Sequence, residues 1–194
     1  MKKFELWFPI KPWYVNQKFG ENQNGLYKNL GMLGHNGLDL AATDGQIIRA
    51  AHEGEVVFTG EDGSGGLGVV IRSAEEFVYN GGSSYFKSIY WHCKKGSFKV
   101  KPGDKVMAGD PIAEADNTGL STATHLHFGV KPVIKGEQSW EWMNLESDNG
   151  YKGAVNPELF FNGYFAEDQK FVIWTMKQII ELLRKVVVLL SFKK

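Results

Sequence analysis

The 194-residue sequence has a single cysteine and no excess of charge of either sign. With Cys93 alone, no disulfide can form within the chain. Lysine and arginine together number 22, as do aspartate and glutamate, so the formal net charge at pH 7 is zero. A neutral chain has no strong electrostatic attraction to phosphate backbones, and nucleic acid is therefore not expected as a partner.

A secretion signal is also lacking at the start of the sequence. The apolar run within residues 1–9 is short and is interrupted by Glu5 and Pro9, and no cleavage site of small residues follows. Either the chain lacks its leader, or the protein leaves the producing cell by lysis, by delivery in a virion or by another export route.

Turn residues and aromatic residues are abundant, which favours β-structure. The sequence has 23 glycines, and aromatic residues make up 13% of it. Between residues 37 and 130, short apolar runs alternate with turn signals. This pattern predicts a mainly β, antiparallel-sheet domain over residues 1–165. Cys93 is expected to be a small core residue.

The pattern changes to helical near the C-terminus. From Phe171 onward, apolar residues recur at spacings of three and four. We therefore predict a C-terminal amphipathic helical extension over residues 166–194, with too many charges for a membrane span. Docking on the β domain, self-association, and contact with an anionic membrane surface through Arg184 and Lys185 are the alternatives for its role.

Four of the five histidines fall into three short segments, at residues 34–39, 90–92 and 124–128. On a β-strand, His125 and His127 point to one face because they are two residues apart. His35 and Asp39 are four apart and also share a strand face, and the glycines around them argue against a helix. Two imidazoles and one carboxylate are the protein ligands of an open zinc site.

In their order these segments resemble the lysostaphin-type, or LytM-like, zinc endopeptidases of peptidoglycan. The resemblance covers roughly residues 17–161. The family's H-x-G-x-D segment is matched by His35-Asn36-Gly37-Leu38-Asp39, its central histidine strand by Tyr90-Trp91-His92, and its closing signature by His125-Leu126-His127-Phe128. A run of Asn117, Thr118 and Gly119 precedes that signature as in the family.

The resemblance implies one zinc ion per chain, bound by His35, Asp39 and His127. It also implies catalytic roles for His92 and His125, with the choice of acid and base left open. No His-Glu-x-x-His segment occurs, so no glutamate base is available on motif grounds.

Three further polar side chains, those of Tyr90, Asn117 and His52, have expected roles of their own. Strand alternation places Tyr90 on the face of His92, so Tyr90 is a candidate for binding substrate, with packing as the alternative. Asn117 is a second candidate for substrate binding. His52 is expected to be structural and to lie outside the site.

The predicted function is that of a zinc-dependent endopeptidase that cleaves peptide bonds of peptidoglycan at the bacterial cell wall. The resemblance extends to phage endolysins and virion-associated lysins, and a bacterial enzyme is the alternative origin. A catalytically silent scaffold or activator of cell-wall hydrolysis is the alternative function. A biotin- or lipoyl-carrier domain, suggested by the hairpin at residues 100–112, is disfavoured because no Met-Lys-Met segment occurs. No motif identifies the bond that is cleaved.

Overall fold

The computed structural model describes residues 2–22, 25–136 and 142–163, and these form a mainly β fold. The strands are β1 Leu6–Trp7, β2 Val15–Gln17, β3 Leu38–Ala41, β4 Ile47–Arg49, β5 Gly54–Glu61, β6 Leu67–Ser73, β7 Phe77–Tyr79, β8 Gly82–Trp91, β9 Lys105–Val106, β10 Pro111–Glu114, β11 His125–Lys135, β12 Trp142–Asn144 and β13 Phe161–Gly163. One α-helix, α1 Leu26–Asn29, occurs in the described ranges, together with 3-10 turns at Gly63–Gly65 and Pro157–Phe160.

The prediction of a mainly β, antiparallel fold is confirmed. The predicted helical extension at residues 166–194 lies outside the described residues, so its helix, its self-association and its membrane contact stay predictions. Within the described ranges, no helix is long and apolar enough to cross a membrane.

One large antiparallel sheet organises the domain. Its strand order is β2-β3-β11-β8-β6-β5-β9, with β12 added to β11 and β7 added to β8. The long central strands β8 and β11 pair so that His127 is opposite Trp91, and β3 pairs with β11 so that Asp39 is opposite His127. Two short sheets, β1-β13 and β4-β10, complete the fold.

The two faces of this sheet differ because side chains alternate along each strand. Leu126, Phe128 and Val130 of β11 are fully buried in the apolar core. His125, His127 and Lys131 fall on the other face and are partly exposed. The sheet thus has one face that packs the core and one that carries polar chemistry.

Cys93 follows β8 and is fully buried, which confirms the prediction of a core residue. Burial raises the pKa of its thiol to about 12. Because thiolate is the reactive form, we expect a chromogenic thiol reagent to leave Cys93 unmodified in native buffer, with its thiolate fraction roughly a thousandfold below that of a free cysteine. Labelling should follow only when guanidinium unfolds the chain. Stoichiometric labelling of the native protein within seconds would contradict the burial of this side chain.

Candidate metal centre

Three side chains converge where β3 meets β11. Asp39 on β3 and His127 on β11 are cross-strand partners, and His35 lies in the loop before β3. The Nε2 atom of His35 is 2.9 Å from Nδ1 of His127 and 3.0 Å from Oδ1 of Asp39. The Nδ1 atom of His127 is 3.0 Å from the same carboxylate oxygen. Two imidazoles and a carboxylate thus present one atom each to a common point.

The hydrogen bonding of His35 explains why this triangle suits a cation. Its Nδ1 lies 3.2 Å from the carbonyl oxygen of Lys18, so the N–H donates there and Nε2 keeps its lone pair. That lone pair faces the carboxylate of Asp39, which is also an acceptor. Tetrahedral zinc at about 2.0–2.1 Å from nitrogen would place ligand atoms roughly 3.3–3.4 Å apart, close to the observed spacing. The residues therefore fit a zinc ion.

Glycine at position 37 is required by close packing under His127. A Cβ atom there would lie 2.6 Å from the carbonyl oxygen of Phe128 and 2.8 Å from the ring of His127. Both contacts are shorter than real Cβ atoms show, and the carbonyl belongs to a paired strand. The central glycine of the H-x-G-x-D segment thus leaves room for the His127 imidazole.

His125 and His92 border the triangle without belonging to it. The ring centroids of His92 and His125 are 4.5 Å apart, and Nε2 of His125 is 3.5 Å from Oδ1 of Asp39. The Nδ1 atom of His125 is 2.8 Å from the carbonyl oxygen of Ala123, and that of His92 is 2.6 Å from the carbonyl oxygen of Thr118. With each Nδ1–H donated to a backbone carbonyl, each Nε2 is left to exchange protons.

His92 is held in place by its backbone as well as by its ring. Its φ of 65° lies in the left-handed region, just after β8 ends at Trp91. Its N–H donates to the carbonyl oxygen of Gly65, and its own carbonyl accepts from the N–H of Asp116. These bonds fix an uncommon conformation and aim the ring beside His125.

Burial and hydrogen bonding set the charges of the metal-binding triangle. Burial acts to raise the pKa of Asp39, but its contacts with His125, His127 and His35 outweigh burial and hold that pKa well below the usual range. Burial lowers the pKa of His127. An ionised carboxylate and a neutral imidazole are the forms that bind zinc.

The two bordering imidazoles have different environments. Burial lowers the pKa of His92 to about 4, against a smaller opposing effect of the Thr118 carbonyl. Burial acts in the same direction on His125, but there the contact with Asp39 prevails and raises the pKa.

Tyr90 does not face the groove, and the prediction that it contacts substrate is wrong. Its side chain is 0% exposed, and its hydroxyl accepts a hydrogen bond from the N–H of Ala51 at 2.7 Å. The alternation argument failed because β8 ends before His92, whose left-handed φ breaks the two-residue period. Tyr90 therefore keeps its strand's core-facing orientation while His92 turns to the site.

Asn117 is exposed and lies between Asp116 and Thr118, which both form hydrogen bonds with His92. This position borders the site, and a substrate contact by Asn117 stays a prediction. Sequence reasoning missed the carbonyl anchors of Lys18, Thr118 and Ala123, since every residue type carries a backbone carbonyl. The side chain of Thr118 further joins the segment to the sheet by accepting from Leu67 N–H and donating to the Cys93 carbonyl.

His52 lies apart from the site in a buried polar chain. Its Nε2 is 2.7 Å from the Ser88 hydroxyl, which in turn is 3.0 Å from the Tyr90 hydroxyl, and its Nδ1–H donates to the Glu53 carbonyl. Burial, opposed by the Glu53 contact, lowers its pKa from 6.5 to about 4. Its expected structural role agrees with this burial.

This shift predicts a loss of stability in acid. Between about pH 6.5 and 4 the unfolded chain protonates His52 and the folded chain does not, so the free energy of unfolding falls as the pH falls, by about 3 kcal/mol for this group. Urea unfolding at pH 7 and pH 4.5 measures the effect. His52→Gln should be less stable at pH 7 and should have a flatter pH profile. Parallel profiles for the two proteins would show that His52 does not contribute.

Comparison with known proteins decides the family. Residues 33–140, more than half of the chain, match Peptidase family M23. The chain belongs to peptidase family M23. The matched stretch includes the three residues of the triangle and both bordering histidines, so the M23 segment and the candidate metal centre coincide.

Curated relatives share this M23 region. The glycyl-glycine endopeptidase ALE-1 of Staphylococcus capitis is 34% identical over 116 residues, which are 60% of this chain and 30% of ALE-1. The DD-carboxypeptidase/endopeptidase Mpg of Neisseria meningitidis serogroup B is 35% identical over 97 residues, which are 50% of this chain and 20% of Mpg. The alignments thus span less than a third of either relative.

The fold of the M23 domain is also found in solved structures. A zinc containing peptidase from Vibrio cholerae aligns over 80% of this chain and 41% of its own, with 23% identity and a TM-score of 0.54. At this identity the likeness establishes the fold alone.

Proposed function

We propose that this protein is a zinc-dependent endopeptidase that hydrolyses peptide bonds in bacterial peptidoglycan, with one zinc ion per chain. The observation that carries the proposal is the triangle of His35, Asp39 and His127 directly beside His92 and His125. Membership of family M23 supports peptidase chemistry, and the similarity to the glycyl-glycine endopeptidase ALE-1 and to the DD-carboxypeptidase/endopeptidase Mpg supports endopeptidase action. The bacterial cell wall is the proposed place of action, and delivery as a phage lysin is one of the predicted routes to it.

The proposed division of work follows from the positions of the side chains. His35, Asp39 and His127 would hold the metal, and a bound zinc ion supplies Lewis-acid chemistry to a peptide carbonyl. His92 and His125 keep their Nδ1 protons on backbone carbonyls. Their Nε2 atoms can then take a proton from the attacking water and deliver one to the leaving amine.

Digestion of purified peptidoglycan tests the function. The zinc-loaded chain is incubated with sacculi that have glycine cross-bridges and with sacculi that have direct cross-links, and mass spectrometry identifies the released fragments. Soluble fragments with new amino termini are expected from at least one type. Intact sacculi of both types after incubation with zinc-loaded protein would overturn the proposal, and binding without release would favour the scaffold function.

A further inference from the structure

A groove of about 920 Å³ runs along the open face of the main sheet. Its lining includes Trp91, whose cross-strand partner is the metal-site residue His127, so one end of the groove lies next to the metal centre. The groove then continues over β8 and β11 towards Trp142 on β12. A substrate held at the metal centre can therefore extend into this groove.

Three cations stand in register on the groove floor. Arg72 on β6 is the cross-strand partner of Lys87 on β8, and Lys87 is the partner of Lys131 on β11. All three line the groove and are partly buried. We call them the cationic row. Like charges directly opposite one another destabilise a sheet, so the row opposes folding unless something neutralises it.

Only one member of the row is neutralised by the described chain. Arg72 donates to Glu55 at 2.7 Å, and its guanidinium lies 4.1 Å from the ring centroid of Trp142. No ion pair between described residues includes Lys87 or Lys131. Glu61 and Asp62 also line the groove and are exposed. The attraction of Asp62 acts on Lys131 without pairing with it.

The pKa shifts of the two lysines agree with this lack of partners. Burial lowers the pKa of Lys87, and the nearby charge of Arg72 lowers it further. Burial also lowers the pKa of Lys131, and the attraction of Asp62 does not reverse the shift. An anion bound between the lysines would offset both the cost of burying their charges and the repulsion between them.

The distance from the row to the metal centre fits an extended peptide. Lys131 is four residues beyond His127 on β11, and Lys87 is four residues before Trp91 on β8. At a rise of about 3.3 Å per residue, the row is roughly 13 Å along the strands from His127. Gly129 and Ile89 pair with each other between these points and add no charge to the floor.

We propose that Arg72, Lys87 and Lys131 form a subsite for a carboxylate of the peptide substrate, about four residues' length from the cleaved bond. The inference rests on the proposed function, which supplies the substrate class. Such a subsite favours an acidic stem peptide of peptidoglycan over a cross-bridge of glycine alone, because glycine has no side-chain carboxylate. Charge-assisted bonds from lysine and arginine to carboxylate are the strong class of hydrogen bond.

Two synthetic stem peptides test the subsite, one with free carboxylates and the other with the same groups converted to amides. Their dissociation constants are measured by calorimetry with the zinc-loaded full chain carrying His125→Ala, which should slow turnover about 10²–10⁴-fold. The acidic peptide should bind roughly tenfold more tightly at low salt, and the difference should shrink as salt is added. In Lys87→Gln and Lys131→Gln the difference should disappear, while Lys99→Gln, which removes a cation that does not line the groove, should retain it.

The same variants separate a binding role from a structural one. Since each removes a like-charge contact, the melting temperature should stay equal or rise. In the otherwise active chain, each should raise KM for the acidic peptide and leave kcat unchanged. Equal affinity for the two peptides, or a preference for the acidic peptide that survives both substitutions, would overturn the inference. The result of the sacculus digestion, and with it the proposed function, would still stand. If the chain that retains His125 binds the acidic peptide through the row but cleaves neither that peptide nor sacculi, the proposed function is overturned instead.

Discussion

The His127→Ala variant should lose its zinc and more than a thousandfold of its peptidase rate. The Nδ1 atom of His127 is close to both other ligand atoms, at 2.9 Å from His35 and 3.0 Å from Asp39. Without the His127 imidazole, only two of the proposed ligands remain. The zinc ion that would polarise the carbonyl of the substrate is then lost. Changes that only support a metal ligand already cost about 10–100-fold in affinity or activity, so the loss of a direct ligand should exceed that range.

Equilibrium dialysis against zinc, followed by elemental analysis, measures this effect directly. Wild-type protein should retain one zinc per chain and the variant far less. A chelator should inactivate the wild type, and added zinc should restore it. His52→Gln is the matched control, because it removes a buried histidine that is not part of the metal centre. A metal-free preparation with full activity would refute the zinc assignment.

The candidate ligand set could be predicted from sequence because the short segments that carry it resemble those of a known family. His125 and His127 are separated by the strand period, and the H-x-G-x-D segment holds two of the candidate ligands and the glycine beneath the third. The pairing of Asp39 with His127 then follows from antiparallel register. What the sequence could not show was the end of β8 at Trp91, since His92 adopts a left-handed φ without glycine or asparagine to signal it.

The cationic row could not be predicted from the sequence for a different reason. Arg72, Lys87 and Lys131 are far apart along the chain, and only the registers of β6, β8 and β11 make them neighbours. Isolated lysines in a strand normally indicate a solvated face. Whether such lysines form a cluster depends on the pairing of strands that are distant in sequence, which no local sequence pattern encodes. The same holds for the carbonyl anchors, which are properties of loop geometry.

The His92→Asn and His125→Ala variants should keep their zinc and lose about 10²–10⁴-fold in kcat, the usual contribution of a positioned acid or base. Neither ring is in the triangle of ligand atoms, and each is oriented by its own carbonyl anchor. Asparagine is chosen at position 92 because it tolerates the φ of 65° better than alanine, so the backbone should stay in place.

Zinc content, melting temperature and kcat are measured together on both variants. Retained zinc and an unchanged melting temperature with a low kcat would assign the imidazoles to proton transfer. If His92→Asn cleaves peptidoglycan at nearly the wild-type rate with full zinc, His92 is not a proton-transfer group and His125 must act alone. If either variant loses its zinc as well as its rate, the substituted imidazole helps to hold the metal. Its contact with the ligand residues, and not proton transfer at Nε2, would then explain the lost rate.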